Sequence, residues 1–324
     1  MTQDEALQKM TEQADAMLSA STEDYQNALL TKWDEFQSRL EADILKIHAS
    51  MEKDGVVPYS DFVRFGGDKQ VETAIAQELQ RLHVSIETDR VDALVAQYKD
   101  AYNLSAWQFD EATPPDIDVN HTLATEPTIR QFVTEDWDKS VFVTRNAKEF
   151  YFLAGEVKTA VTQAMLKGTS VKDLASTIED IIGDDDSDYR YRSLRIATTE
   201  LLRSANLGLN HLYDDNEDLI SDQYWITRGL MAVKEVCEFC LERAGHTYDE
   251  VVDIADEQDM EVDPPIHPFC ACRWAARPKN PIELLGPKLG KGIADFDIED
   301  VKFNPQSYKS WADTNLATSD RGNL

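Results

Sequence analysis

The last third of the chain gathers five side chains capable, together, of metal or redox chemistry. The four cysteines are Cys237, Cys240, Cys270 and Cys272, and His267 stands three positions before Cys270. The first two form a C-x-x-C pair in "VCEFC". The other two lie in "DPPIHPFCACRW", about thirty residues downstream. Thiolates and imidazoles are the ligands that tetrahedral zinc prefers. A C-x-x-C turn aims two sulfurs at one ion. Pro264, Pro265 and Pro268 stiffen the second segment and lower the entropy lost when the site closes. Five donors compete for four places. Cys237, Cys240, Cys270 and either His267 or Cys272 are expected to hold a structural zinc ion. A filled ligand set leaves no open position for substrate, so the site reads as a staple.

Other uses of the same residues meet obstacles. Disulfides are disfavoured in a chain that reads as soluble and cytosolic. Redox catalysis by Cys237 and Cys240 needs a thioredoxin-like βαβ context, which the surrounding pattern lacks. A zinc-stapled HNH-type nuclease needs a catalytic histidine on a ββα unit, and His246 and His267 are the nearby candidates. Its DNA substrate would meet 61 acidic against 32 basic residues, a net charge of −29. Such a chain repels nucleic acid and anionic lipid, so extensive direct DNA binding is not expected. Neither G-x-x-x-x-G-K-[ST] nor G-x-S-x-G is present, and no enzyme activity is expected. No run approaches the ~18 apolar residues of a membrane span, and the acidic start does not read as a secretory signal.

The elements that must position these donors read as mainly α. In residues 1–53, Leu7, Met10, Ala14, Met17 and Leu18 form one apolar stripe, which Leu29, Trp33, Phe36, Leu40, Ile44, Ile47 and Met51 extend. Ser21 and Asp24 suggest a capping box that restarts the helix. "KDGVVPYS" breaks the pattern, and residues 69–101 predict one or two further helices. "DEATPPDIDVNHTLATEP", 110–127, reads as a linker. Helix returns over 128–166, with Gly168 as its stop and Thr169 or Ser170 capping the next helix. The alternate aspartates Asp184, Asp186 and Asp188 raise a calcium loop, but Tyr189 and Arg195 stand where an EF-hand needs Gly and Glu. Residues 190–214 predict a helix buried along Leu194, Ala197, Leu201, Ala205 and Leu209. Its Glu200, Arg203 and Asn206 read as a salt-bridged surface. "DQYWITRGLM" predicts a short strand or hairpin. The expected architecture is an N-terminal helical region (1–109), a linker (110–127), a helical plus small α+β module (128–278) carrying the C-x-x-C…H-P-x-C-x-C staple, and an extended C-terminal arm (279–324). Phe296, Ile298, Val301, Phe303, Tyr308 and Trp311 are candidate anchors for the arm.

"CEFCLERAG", a spacer and "PPIHPFCACRW" resemble the signature of phage head morphogenesis proteins, the Mu F-like minor head proteins. The matching positions are Cys237, Cys240, Gly245, Pro264, Pro265, His267, Pro268, Cys270 and Cys272, with Trp225 upstream. "RIATTELLRSAN", 195–206, is similar to a helix of that family and keeps Glu200 and Asn206, with Thr198 where the family has Arg. The resemblance spans roughly residues 150–278. It implies a minor structural protein of a tailed-phage head, present in procapsid and mature capsid after assembly in the host cytoplasm. Implied partners are the portal protein, other head proteins and its own copies. Two other classes stay open: a metal-dependent HNH-like nuclease acting on phage DNA, and an interaction adaptor sharing only the zinc module.

Overall fold

The computed structural model describes residues 1–51, 59–114, 116–135, 139–167, 171–183, 189–227, 236–281, 283–284 and 303–316. Helices dominate: α1 (Gln3–Met51), α2 (Tyr59–Arg64), α3 (Gly67–Ala112), α4 (Glu126–Glu135), α5 (Lys139–Lys167), α6 (Val171–Ile182) and α7 (Tyr189–Asp215). Then follow β1 (Ile220–Ile226), α8 (Glu238–Arg243), α9 (Tyr248–Gln258), β2 (Arg273–Pro278) and α10 (Tyr308–Asn315). The chain is mainly α with a small two-stranded antiparallel sheet, as the sequence predicts. No helix among the described residues is long and apolar enough to cross a membrane.

The predicted break at Ser21 does not occur. α1 runs on, because the Ser21 hydroxyl donates to Gln97 Oε1 (3.0 Å) and Thr22 Oγ1 donates to the Leu18 carbonyl (3.0 Å). The side chains that would cap a new helix are spent elsewhere. Residues 69–101 fall within one helix, α3. The break at 53–58, the Gly168–Ser170 stop and the Asp184–Asp188 loop lie outside the described residues.

The chain divides into two compact units, each assembled from separated stretches, where the sequence reading divides it linearly. One comprises residues 26–91 and 134–197. Its core joins Trp33, Phe36 and Leu40 of α1, Ile75 and Leu79 of α3, Leu153 and Val157 of α5, and Ile178 of α6. Trp33 meets Phe36 edge-on at 5.6 Å. Buried Glu78 is neutralised by Arg39 at 2.7 Å and by Arg81.

The other unit comprises residues 1–25, 92–133 and 198–324. Met10, Ala14 and Leu18 of α1 join Tyr102, Trp107 and Phe109 of α3 and Leu202, Ala205 and Leu209 of α7. Trp225, Cys240, Cys270, Cys272 and Trp274 belong to the same apolar cluster. α7 crosses α3 closely at Gly208, where a Cβ would stand 2.3 Å from the Tyr98 carbonyl oxygen. The C-terminal stretch is not wholly extended: residues 308–315 form α10, with Tyr308 and Trp311 buried. The Trp311 indole N–H donates to Asp110 (2.6 Å) and that of Trp107 to the Gln306 carbonyl (3.0 Å). Phe303, Tyr308 and Trp311 thus anchor on their own chain; Phe296, Ile298 and Val301 lie outside the described residues.

Candidate metal centre

The sheet sets the frame of the site. β1 and β2 pair antiparallel, with Trp225 opposite Trp274 and Ile226 opposite Arg273. The two indoles meet edge to face at 5.2 Å, in the same apolar cluster as Cys240, Cys270 and Cys272. Cys272 directly precedes β2. Cys237 is the N-cap of α8 and Cys240 lies in its first turn, so the three-residue spacing brings both sulfurs to one side. After α8 the chain turns at Gly245, whose φ of +80° suits glycine. Gly245 N–H donates to the Trp225 carbonyl and Trp225 N–H to the His246 carbonyl, both at 2.9 Å. These bonds lock the C-x-x-C segment to the edge of β1. Thr247 then starts α9, its N–H bonded to the Glu250 carboxylate at 2.9 Å.

The second half of the motif arrives through a tight turn. Cys270 N–H donates to the His267 carbonyl (3.1 Å), and Phe269 takes a left-handed φ of 59°, rare for a bulky residue. Its N–H donates to Thr199 Oγ1 of α7 at 3.2 Å. Two turns farther along α7, buried Asn206 donates from Nδ2 to the Leu202 carbonyl (3.0 Å) and to the Cys272 carbonyl (3.1 Å). Asn206 is therefore no surface residue, contrary to the sequence reading of this helix. Next in the chain, Arg273 is 2% exposed; its Nε donates to Asp15 Oδ1 (2.8 Å), and the ion pair brings Nη2 within 2.7 Å of the same oxygen. Trp274 Nε1–H donates to Asp263 (3.0 Å).

All five sequence-predicted donors meet. They form two overlapping groups that share Cys240: Cys237, Cys240 and His267, and Cys240, Cys270 and Cys272. Within each group the ligating atoms lie within 4.8 Å of one another. His267 Nε2 is 3.1 Å from both Cys237 Sγ and Cys240 Sγ, and Cys240 Sγ is 3.8 Å from Cys270 Sγ. No disulfide joins any of the four cysteines. His267 Nδ1 sits 2.8 Å from the Pro268 carbonyl, and Nε2 faces the sulfurs of Cys237 and Cys240. Cys240, Cys270 and Cys272 are buried, whereas Cys237 and His267 are half-buried.

Protein groups alone leave this cluster electrostatically strained. Hydrogen bonds from Cys240 and Cys272 hold the Cys270 thiol far below its usual range. Contacts with Cys270 and then Cys272 push Cys240 far up, since a second thiolate there would face the first. At Cys237 burial works upward, but the bonds with Cys240 and the charge of His267 bring the thiol below its ordinary value. His267 is pushed up to about 9, first by its bond to Cys270, with Pro268 acting in the same direction against burial. A divalent cation relieves the conflict, because it favours several thiolates and a neutral imidazole at once. The donor set thus fits a metal ion in chemistry and in spacing.

Sequence reasoning missed the groups behind the donors: Thr199, Asp15, and the role of Asn206. Asn206 carried a local signal, a polar residue on the buried side of a helix. Asp15 carried none, lying 258 positions from its partner.

Set beside known proteins, the chain matches no family model, no curated protein and no solved structure. The resemblance to the Mu F-like head proteins is carried by its motif residues.

Proposed function

We propose that this chain is a minor structural protein of a tailed-phage head, working without catalysis beside the portal. The observation that supports the reading is the closure of both halves of the head-protein signature into one cluster sharing Cys240. Gly245, a further motif position, sits at the positive φ that the turn between the halves requires. The acidic charge suits a protein that meets packaged DNA without adhering to it.

The ion is zinc in this reading. Tetrahedral zinc with bonds of about 2.3 Å spaces its sulfurs roughly 3.8 Å apart, which is the separation of Cys240 and Cys270. Cys237, Cys240, Cys270 and His267 hold it, because His267 Nε2 already faces two thiols with its other nitrogen engaged. Cys272 lies beside the ion as a fifth donor. When bound, zinc acts as a cross-link and not as a Lewis acid for substrate. Metal content separates the fourth-ligand alternatives: His267→Ala loses the ion, and Cys272→Ser retains it.

Quantitative mass spectrometry of purified procapsids and mature particles tests the function. The expected result is this chain in low copy alongside the portal protein. Its absence from both particles removes the assignment.

A further inference from the structure

The unit built from residues 26–91 and 134–197 carries a groove that its own packing leaves open. Val157 and Val161 of α5 are fully buried in the core. On another face of the same helix Tyr151 is 77% exposed and Phe152 47%. Both aromatic rings border a cavity of about 810 Å³ between α5 and α3, open to solvent and lined also by Ile75, Ala76, Ala154 and Gly155. That volume takes several side chains of one helix face.

Gly155 makes the groove specific. Glycine in a helix interior is destabilising relative to alanine. At Gly208 the reason is internal, since a Cβ there would strike the Tyr98 backbone. A Cβ on Gly155 would meet nothing within 4 Å. No neighbour among the described residues asks for glycine here, and Gly155 lies in the wall of the groove. The missing side chain makes room for something outside the unit, and with alanines at 76 and 154 it lets an incoming helix pack at short axial distance.

Charge selects the occupant. Glu72 and Glu156 line the groove, and its cation, Lys158, is already paired with Glu72 and lies in the field of Asp68. The surplus is negative, on a chain of net charge −29. A second copy would bring acid against acid, and a nucleic acid would be repelled. We propose that this groove docks an amphipathic α-helix of a partner protein that carries Lys or Arg beside its apolar stripe. Its apolar residues pack on Tyr151 and Phe152, its backbone crosses at Gly155, and its cations reach Glu72 and Glu156.

Fluorescence anisotropy of the full chain with a labelled synthetic helix of Leu and Lys, at physiological salt, tests this. A helix of the same pattern with Glu for Lys serves as comparison. Saturable binding of the Lys helix alone is expected, weakened roughly tenfold or more by Gly155→Leu and by Tyr151→Ala. Circular dichroism and the melting temperature of both variants should match the parent. Failure of the Lys helix to bind, equal binding by both helices, or unchanged affinity in both variants overturns the proposal. Self-association of the parent that Gly155→Leu abolishes in sedimentation also overturns it, in favour of a second copy.

Discussion

Cys240 is the sulfur common to both donor groups, so its loss divides the centre where loss of any other donor only thins it. Structural zinc contributes roughly 10–16 kcal/mol of folding free energy in small modules, as large as the ~5–15 kcal/mol that holds most domains together. Cys237→Ser combined with Cys240→Ser is therefore expected to lose the ion and lower the melting temperature sharply. Metal analysis and calorimetry check this, and an unchanged melt with full metal retention refutes the staple. Asn206→Ala acts one step back. It strips the Cys272 carbonyl of its buried donor at a cost of about 1–3 kcal/mol, and the ion should stay bound. Equilibrium denaturation beside metal content separates the two effects. The five donors were legible in the sequence because C-x-x-C and H-P-x-C-x-C spacing is a local signal. The choice between His267 and Cys272 was not, because both stand at ligand spacing and each joins a donor group that shares Cys240.

At the scale of elements, 3.6-residue periodicity made the helices legible, and their lengths less so. Ser21 and Asp24 have the sequence of a cap, yet Gln97, which keeps the Ser21 hydroxyl from that role, is brought there only by tertiary structure. The contact of α7 with α3 depends on one missing methyl group. Gly208→Ala should force the helices apart or the Tyr98 carbonyl aside, costing about 1–3 kcal/mol by overpacking. A thermal melt of that variant checks it, and parental stability would mean the crossing yields without strain. The start of α9 carries a pH dependence. The N–H and hydroxyl of Thr247, then His246, hold the Glu250 carboxyl below its ordinary range. Its contribution is complete above the ordinary carboxylate pKa and is lost as pH falls through the lowered one. Amide exchange at Thr247 should therefore rise only in acid, and Glu250→Gln should blunt the dependence. A parental pH profile in that variant contradicts the assignment.

For the molecule as a whole, the division into units was the least legible property. Local periodicity says nothing about which helix returns to which, so a linear reading placed boundaries at 109, 127 and 278. The units instead combine residues 26–91 with 134–197, and residues 1–25 with 92–133 and 198–324. That interleaving imposes a timetable on synthesis. Chains emerge from the ribosome N-terminus first. The unit ending at residue 197 has all its parts before either half of the cysteine motif has been translated. Residues 1–25, although first made, must wait for the last third of the chain to complete their contacts, Asp15 for Arg273 and Met1 for Phe303. Nascent chains arrested after Cys240 should resist protease across 26–91 and 134–197 while 1–25 and 92–133 are still cut; equal resistance would mean the early stretches find temporary shelter. Until the final segment arrives, the apolar side of the first helical turns has no permanent cover, and this is the interval in which a nascent copy is most exposed to chaperones and to its neighbours on the same message.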